Sequence, residues 1–250
     1  MNFLDLGEVC EFVDQTVADF QQQRLKALKE LDFMGWLTRN LYLCKPRYMI
    51  TAGSIVCGSL EVYLSSIEDK FFDDLMKRVA VFIVNKAAGG YKSDKTGIDL
   101  EFYNDENHYL VSIESGLNLR SASNRETLEG DFNKAIAMLE QSDYLGEVQP
   151  VLGICFGHSE MPSVWGYQKV VGQGFWYLIS ENKDLYGQII EPIQHQALDY
   201  DKAMANEKDR KTNDFTKVLL NNFYTSEYGI DWLKLIELKN DPKEAEFVTI

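Results

Sequence analysis

Two short runs of alternating residues constrain this chain more than any other part of it. Gly97-Ile98-Asp99-Leu100-Glu101-Phe102 and Tyr109-Leu110-Val111-Ser112-Ile113-Glu114 both read as strands. The polar stretch Asn104-Asp105-Glu106-Asn107-His108 joins them as a hairpin. Successive side chains leave a strand on opposite faces. The first strand then carries Ile98, Leu100 and Phe102 on one side, with Asp99 and Glu101 on the other. The second carries Tyr109, Val111 and Ile113 opposite Ser112 and Glu114. Pairing the apolar sides gathers Asp99, Glu101, Ser112 and Glu114 on one surface, the kind of oxygen-rich set that hard cations take. From spacing alone, the solvated outer face of an edge hairpin fits equally well, because polar alternation is common there.

The flanks are helical. Phe12, Val13, Val17, Phe20, Leu25 and Leu28 follow helical spacing, and Pro46 breaks what comes next. Thr51 opens a helix that runs to about Ser65. A second helix follows Ser66-Ile67-Glu68-Asp69, with Phe71, Phe72, Leu75, Met76, Val79, Ala80 and Ile83 as its buried stripe and Gly89-Gly90 as its end. Ser123 with Glu126 three residues on predicts a capped helix bearing Leu128, Phe132, Ala135, Ile136 and Leu139. Residues 148–156 form a mostly apolar strand with Pro150 near its start, as a strand covered on both faces requires. Beyond Gly157 the pattern is again helical: 175–179, 185–190 before Pro192, and about 196–222. Helix, hairpin, helix, strand implies an α/β fold with a mixed sheet between helices. The reading is one domain over 1–250, with a helical part at 1–88, a core at about 65–160 and a helical part at about 164–240.

Composition narrows the class. With 250 residues, 45% hydrophobic and 12% aromatic, the chain has enough apolar surface for a sizeable core. No apolar run approaches the ~20 residues that span a bilayer, and Met1-Asn2-Phe3-Leu4-Asp5 lacks the basic-then-apolar build of a signal peptide. Cys10, Cys44, Cys57 and Cys155 are scattered without zinc-ligand spacing, so reduced thiols in a prokaryotic cytoplasm are expected. The net charge of −14 argues against tight non-specific binding to nucleic acid, although a carboxylate centre that takes a cation adds negative charge of its own.

The order of an acid on one strand, the positions of a (D/E)-x-K motif on the next, then a helix and a strand resembles the core of the PD-(D/E)XK nuclease superfamily. Tyr63-Leu64-Ser65-Ser66, Ala88-Gly89-Gly90, Gly97 to Phe102, Tyr109 to Ile113, Ser115-Gly116 and Asp131-Phe132-Asn133-Lys134-Ala135 are similar to a family of type II restriction endonucleases that cut short, often interrupted palindromes. Weaker similarity continues through Gly172-Gln173-Gly174-Phe175-Trp176, Ile190-Glu191-Pro192 and Gly229-Ile230-Asp231-Trp232, so it spans about 40–235.

The resemblance implies a restriction-endonuclease-like fold and Mg²⁺-dependent hydrolysis of double-stranded DNA to 5′-phosphates, with Mn²⁺ able to substitute. It further implies a homodimer and no membrane. Asp99 takes the role of the metal-binding acid. Ser112 stands where the superfamily has Asp or Glu, a feature shared with close relatives. Glu114 stands where the superfamily has Lys. A glutamate brings no positive charge; it binds a second cation or takes a proton from water. The implied metal ligands are therefore Asp99, Glu114 and the Ile113 carbonyl, with Glu101 acting through water. Glu68 is a further candidate, because superfamily members often place a helix carboxylate near the metal. Its nearer reading is a capping box, Ser65-x-x-Glu68. In the loop after Gly116, Asn118, Arg120 and Ser121 are candidate DNA contacts, although this stretch departs from the family's own loop. Lys134 is a further one. Two other readings stay open on the sequence: a DNA-binding protein that no longer cuts because Glu114 has displaced lysine, and a non-nuclease interaction protein on the same scaffold.

The remaining features carry less. Lys202, Lys208, Arg210, Lys211 and Lys217 alternate with acids, which reads as a solvated helix face. His108, His158 and His195 are scattered, His195 reading as a buried hydrogen-bonded imidazole. Gly172-Gln173-Gly174 lacks the rest of any nucleotide fingerprint.

Overall fold

A computed structural model describes residues 4–37, 41–104, 107–116, 122–141, 146–158, 166–194, 197–226 and 229–240. In chain order the elements are α1 (Leu6–Glu30), α2 (Phe33–Trp36), a 3-10 turn (Leu41–Cys44), α3 (Ala52–Ala88), β1 (Tyr91–Lys92), β2 (Leu100–Asn104) and β3 (Asn107–Glu114). There follow α4 (Ala122–Gln141), β4 (Glu147–Ile154), β5 (Gln168–Val171), α5 (Gln173–Ser180), α6 (Leu185–Gln188) and α7 (Ile190–Gln194). The last are α8 (Ala197–Phe223), β6 (Tyr224–Thr225), β7 (Gly229–Ile230) and α9 (Trp232–Asn240).

The chain divides into two compact units, Met1–Phe20 with Phe72–Gln196, and Gln21–Phe71 with Ala197–Ile250. The first unit holds a five-stranded sheet in the order β1-β2-β3-β4-β5. The pairs β1-β2 and β2-β3 are antiparallel, and β3-β4 and β4-β5 are parallel, joined across α4 in the first case. This is the mixed sheet that the sequence predicts. One face carries Leu100, Phe102, Val111, Ile113 and Val151, packed on Val9, Val13 and Val17 of α1, the Leu75-to-Val84 stripe of α3, and Phe175 and Trp176 of α5. The other carries Leu110, Leu152 and Ile154 against Leu128, Phe132 and Ala135 of α4. Helices therefore cover both faces, and β3 lies between β2 and β4. That overturns the edge-hairpin reading: Glu101 and Ser112 are buried, not solvated.

The second unit is helical. Phe33, Trp36, Ile55, Leu60, Phe215, Leu219, Phe223 and Leu235 form its core, and β6 and β7 make a small hairpin. The predicted solvated face of α8 holds in part. Arg210 reaches Glu207 and Asp214, and Lys208 reaches Glu61, but Lys211 is buried and donates to the Lys29 and Leu31 carbonyls.

Three boundaries differ from the sequence prediction. The helices read as ending at Ser65 and restarting after Asp69 are one helix, α3, because no Gly or Pro interrupts residues 66–71. Thr51 caps it, its hydroxyl oxygen accepting the Ser54 N–H at 3.1 Å. Ser65 and Glu68 are thus interior, so the capping-box reading of Glu68 does not hold. α3 ends at Gly89, whose φ of +65 suits glycine. β5 falls in a stretch read as helical; four residues at a sheet edge are too few to show a period. Pro192 sits within α7 rather than after a helix, in the first turn where a missing N–H costs nothing.

The first strand also starts late. Residues 95–97 turn, with the Ile98 N–H donating to the Lys95 carbonyl at 3.1 Å and Gly97 at φ +77. Ile98 consequently packs with the α4 cluster, away from Leu100 and Phe102. Asp99 is the last residue before β2. Ser123's side chain, the loop carrying Asn118, Arg120 and Ser121, and His195 lie outside the described residues.

Candidate active site

Asp99 enters the sheet from that turn. Its backbone N–H donates to the Val111 carbonyl at 2.8 Å, and its carbonyl accepts from the Ser93 N–H at 3.2 Å. Its Oδ2 accepts the Ile113 N–H at 2.6 Å. Its Oδ1 lies 3.2 Å from Lys77 Nζ. Lys77 comes from α3 and lies 3.2 Å from Asp73 Oδ2 as well. Asp73 Oδ1 in turn accepts the Ser115 N–H at 2.9 Å. Two carboxylates, each held by one backbone N–H near the end of β3, thus share one ammonium.

Burial raises the Asp99 carboxyl above the usual carboxylate range, and the Lys77 charge and the Ile113 N–H offset that only in part. Burial disfavours charge on Lys77 too, but Asp99 and Asp73 outweigh it and hold the ammonium above its ordinary range. Lys77, Gly97, Asp99, Ser112, Ile113 and Asp131 line a cleft of about 320 Å³.

Glu101 has a different fate. It is fully buried. Ser93 Oγ and Lys95 Nζ donate to its Oε1 at 2.6 and 2.7 Å, and His108 Nε2 lies 2.9 Å from its Oε2. Burial opposes its charge, yet the bonds from His108, Lys95 and Ser93 prevail and hold the carboxyl down at about 2. The Tyr103 ring stacks on His108 at 4.2 Å.

The other candidates are placed as follows. Ser112 is buried in the cleft wall, and Ile113 contributes the N–H that holds Asp99. Glu114 is half-buried at the end of β3, its carbonyl accepting the Cys155 N–H at 2.8 Å. Glu68 belongs to the second unit and pairs with Arg24. Lys134 stands exposed on α4, 3.4 Å from Asp131 Oδ1. Among the described residues, no three Asp, Glu, His or Cys side chains gather as a metal cage. The structure therefore brings Asp99, Ser112 and Ile113 together, and takes Glu101 and Glu68 into ion pairs of their own.

Sequence reasoning missed Asp73 and Lys77. Their signal is a charged pair four residues apart beside an otherwise apolar stripe, which puts both on one face of α3. Placing that face against β3 needs the fold.

A mixed five-stranded sheet between helices, with an acid entering its antiparallel side beside a cleft, defines a restriction-endonuclease-like protein. A family model described as Type II restriction endonuclease EcoO109I matches residues 7–201, and the chain belongs to that family. No curated protein matches the chain. Membership places it among sequence-specific DNA endonucleases, a class that uses divalent metal ions. Among the described residues, no helix is long and apolar enough to cross a membrane.

Proposed function

We propose that this chain is a Mg²⁺-dependent type II endonuclease that hydrolyses both strands of a specific DNA site and leaves 5′-phosphates, acting as a homodimer. The observation that carries this reading is Asp99, fixed by the Ile113 N–H in the wall of a cleft within a fold of the matching family. Two-fold partners present one centre to each strand of a palindrome.

The residues fit a hard cation. Mg²⁺ binds through one or two carboxylates, waters and substrate phosphate rather than an all-protein cage. The contacts to Lys77 and Ile113 leave further lone pairs on both Asp99 oxygens. Asp99 is the principal ligand, joined by Glu114 and the Ile113 carbonyl. When bound, the ion polarises the phosphate and lowers the pKa of a water. Asp99 is kept from rotating by the Ile113 N–H. The raised carboxyl of Asp99 is relieved by any cation brought beside it, so the centre favours charge compensation. Glu114 serves as a second acidic ligand or as acceptor of the attacking water's proton. Lys134, and Asn118, Arg120 and Ser121 in the loop after Gly116, are assigned to DNA.

Phage and plasmid DNA incubated with the purified chain and Mg²⁺ or Mn²⁺ test this reading. Discrete fragments are expected from the parent and none from Asp99→Ala. No fragments from either protein, or the same fragments from both, refutes it.

A further inference from the structure

We propose that Lys77, delivered from α3, supplies at the scissile phosphate the positive charge that Glu114 does not supply from β3. The inference rests on the nuclease reading above and deepens it.

Three observations lead there. Lys77 Nζ lies 3.2 Å from Asp99 Oδ1 and 3.2 Å from Asp73 Oδ2, so it sits beside Asp99 in the wall of the cleft. The opposite oxygens of both acids are tied to backbone N–H groups of Ile113 and Ser115. The ammonium is therefore held on two fixed anchors. An ammonium carries three protons, and two carboxylates use two of them. The third is left for a phosphate oxygen.

Lys77 also borders open space. Its side chain is 32% exposed and lines both the cleft of about 320 Å³ and a second of about 580 Å³ that holds Phe12, Phe82, Tyr91 and Lys92. Around it on α3, Leu75, Met76, Val79 and Ala80 are buried and apolar. A lysine acts on phosphate as a point charge, so it serves from a helix as well as from a strand provided the ammonium arrives at the same acid.

The test compares the full-length parent with Lys77→Met, Lys77→Gln and Lys77→Met/Glu114→Lys, each checked by thermal melt. Cleavage of phage DNA is read in Mg²⁺. Binding to a mixed-sequence 40-base-pair duplex is read in EDTA over a salt series. Loss of one preorganised charge at the phosphate slows cutting about 100-fold in both single variants. It also reduces the slope of log K against log salt by about 1. The double variant regains cutting at least about tenfold over Lys77→Met, because the charge returns from β3.

Single variants that cut within threefold of the parent, a salt slope that does not change, or a double variant no faster than Lys77→Met each overturn the inference and leave the nuclease reading standing. Faster cutting by Lys77→Met also overturns it, and makes Lys77 an internal counter-ion that blocks the cation. A parent that neither cuts nor binds DNA removes both this inference and the reading beneath it.

Discussion

Asp99 and Glu101 are two residues apart, and strand alternation alone makes them equivalent; the structure makes them opposites. Glu101 lies on β2 opposite Leu110, fully buried, with Ser93 and Lys95 donating to one carboxylate oxygen and His108 Nε2 2.9 Å from the other. Asp99 lies one residue before the strand, faces a cleft, and shares Lys77 with Asp73. The same chemical group is held down at about 2 in one place and pushed up in the other. Glu101 holds the fold together. Asp99 is a carboxylate that the fold leaves under-compensated, the condition that suits a group meant to meet a cation.

The largest expected effect separates the two functionally. Asp99→Ala should lower DNA cleavage by about 10³-fold or more, as loss of a principal electrostatic group does, while fragment binding measured without metal persists. Glu101→Ala should act on stability instead. Removing one partner of a buried charged network costs about 3 kcal/mol, a fall of roughly 10 °C in Tm for a chain of this size. Calorimetry reads it, and cleavage per folded molecule should hold.

Gly97 keeps Asp99 out of the strand. At φ +77, an added Cβ would also meet Asp131 Oδ2 at 2.5 Å and Asp131 Cβ at 2.8 Å. Gly97→Ala should therefore cost about 1–3 kcal/mol in urea unfolding and reduce cutting more than Glu101→Ala does.

The two carboxylates should also respond to pH with opposite sign. The Glu101 carboxyl is depressed in the folded state, so its stabilisation is present above the unfolded value of 4.5 and is lost as pH falls towards about 2. The Asp99 carboxyl is raised, so the folded state binds its proton more readily and gains stability from it on acidification. At neutral pH, Glu101→Gln should lower Tm and Asp99→Asn should raise it. Equal signs would dissolve the contrast. The smallest effect is at the rim: Lys134→Ala should reduce the salt slope of DNA binding by about 1 without altering cutting at saturation.

Much of this was legible in the chain. The alternating runs, the stripe from Leu75 to Ile83 and the apolar run after Pro150 were enough for a sheet between helices, because burial periodicity is a local property. The division of labour between Asp99 and Glu101 was not. It depends on a turn at Lys95–Gly97 that delays the strand until Leu100, one residue past Asp99, and on Ser93, Lys95 and His108, which reach Glu101 only through β-sheet pairing. The sequence offers Glu68 as the helix acid, whereas Asp73 is the one that shares Lys77 with Asp99. The choice between them rests on which turn of a 37-residue helix faces β3, and that is a tertiary fact.

The most direct test is the single-turnover cleavage rate, per folded molecule, of Asp99→Asn beside Glu101→Gln in Mg²⁺ at a temperature where both are folded. The account predicts that Asp99→Asn is inert although at least as stable as the parent, and that Glu101→Gln cuts near the parent rate although less stable. Cutting by Asp99→Asn at the parent rate, or a folded but inert Glu101→Gln, would contradict it.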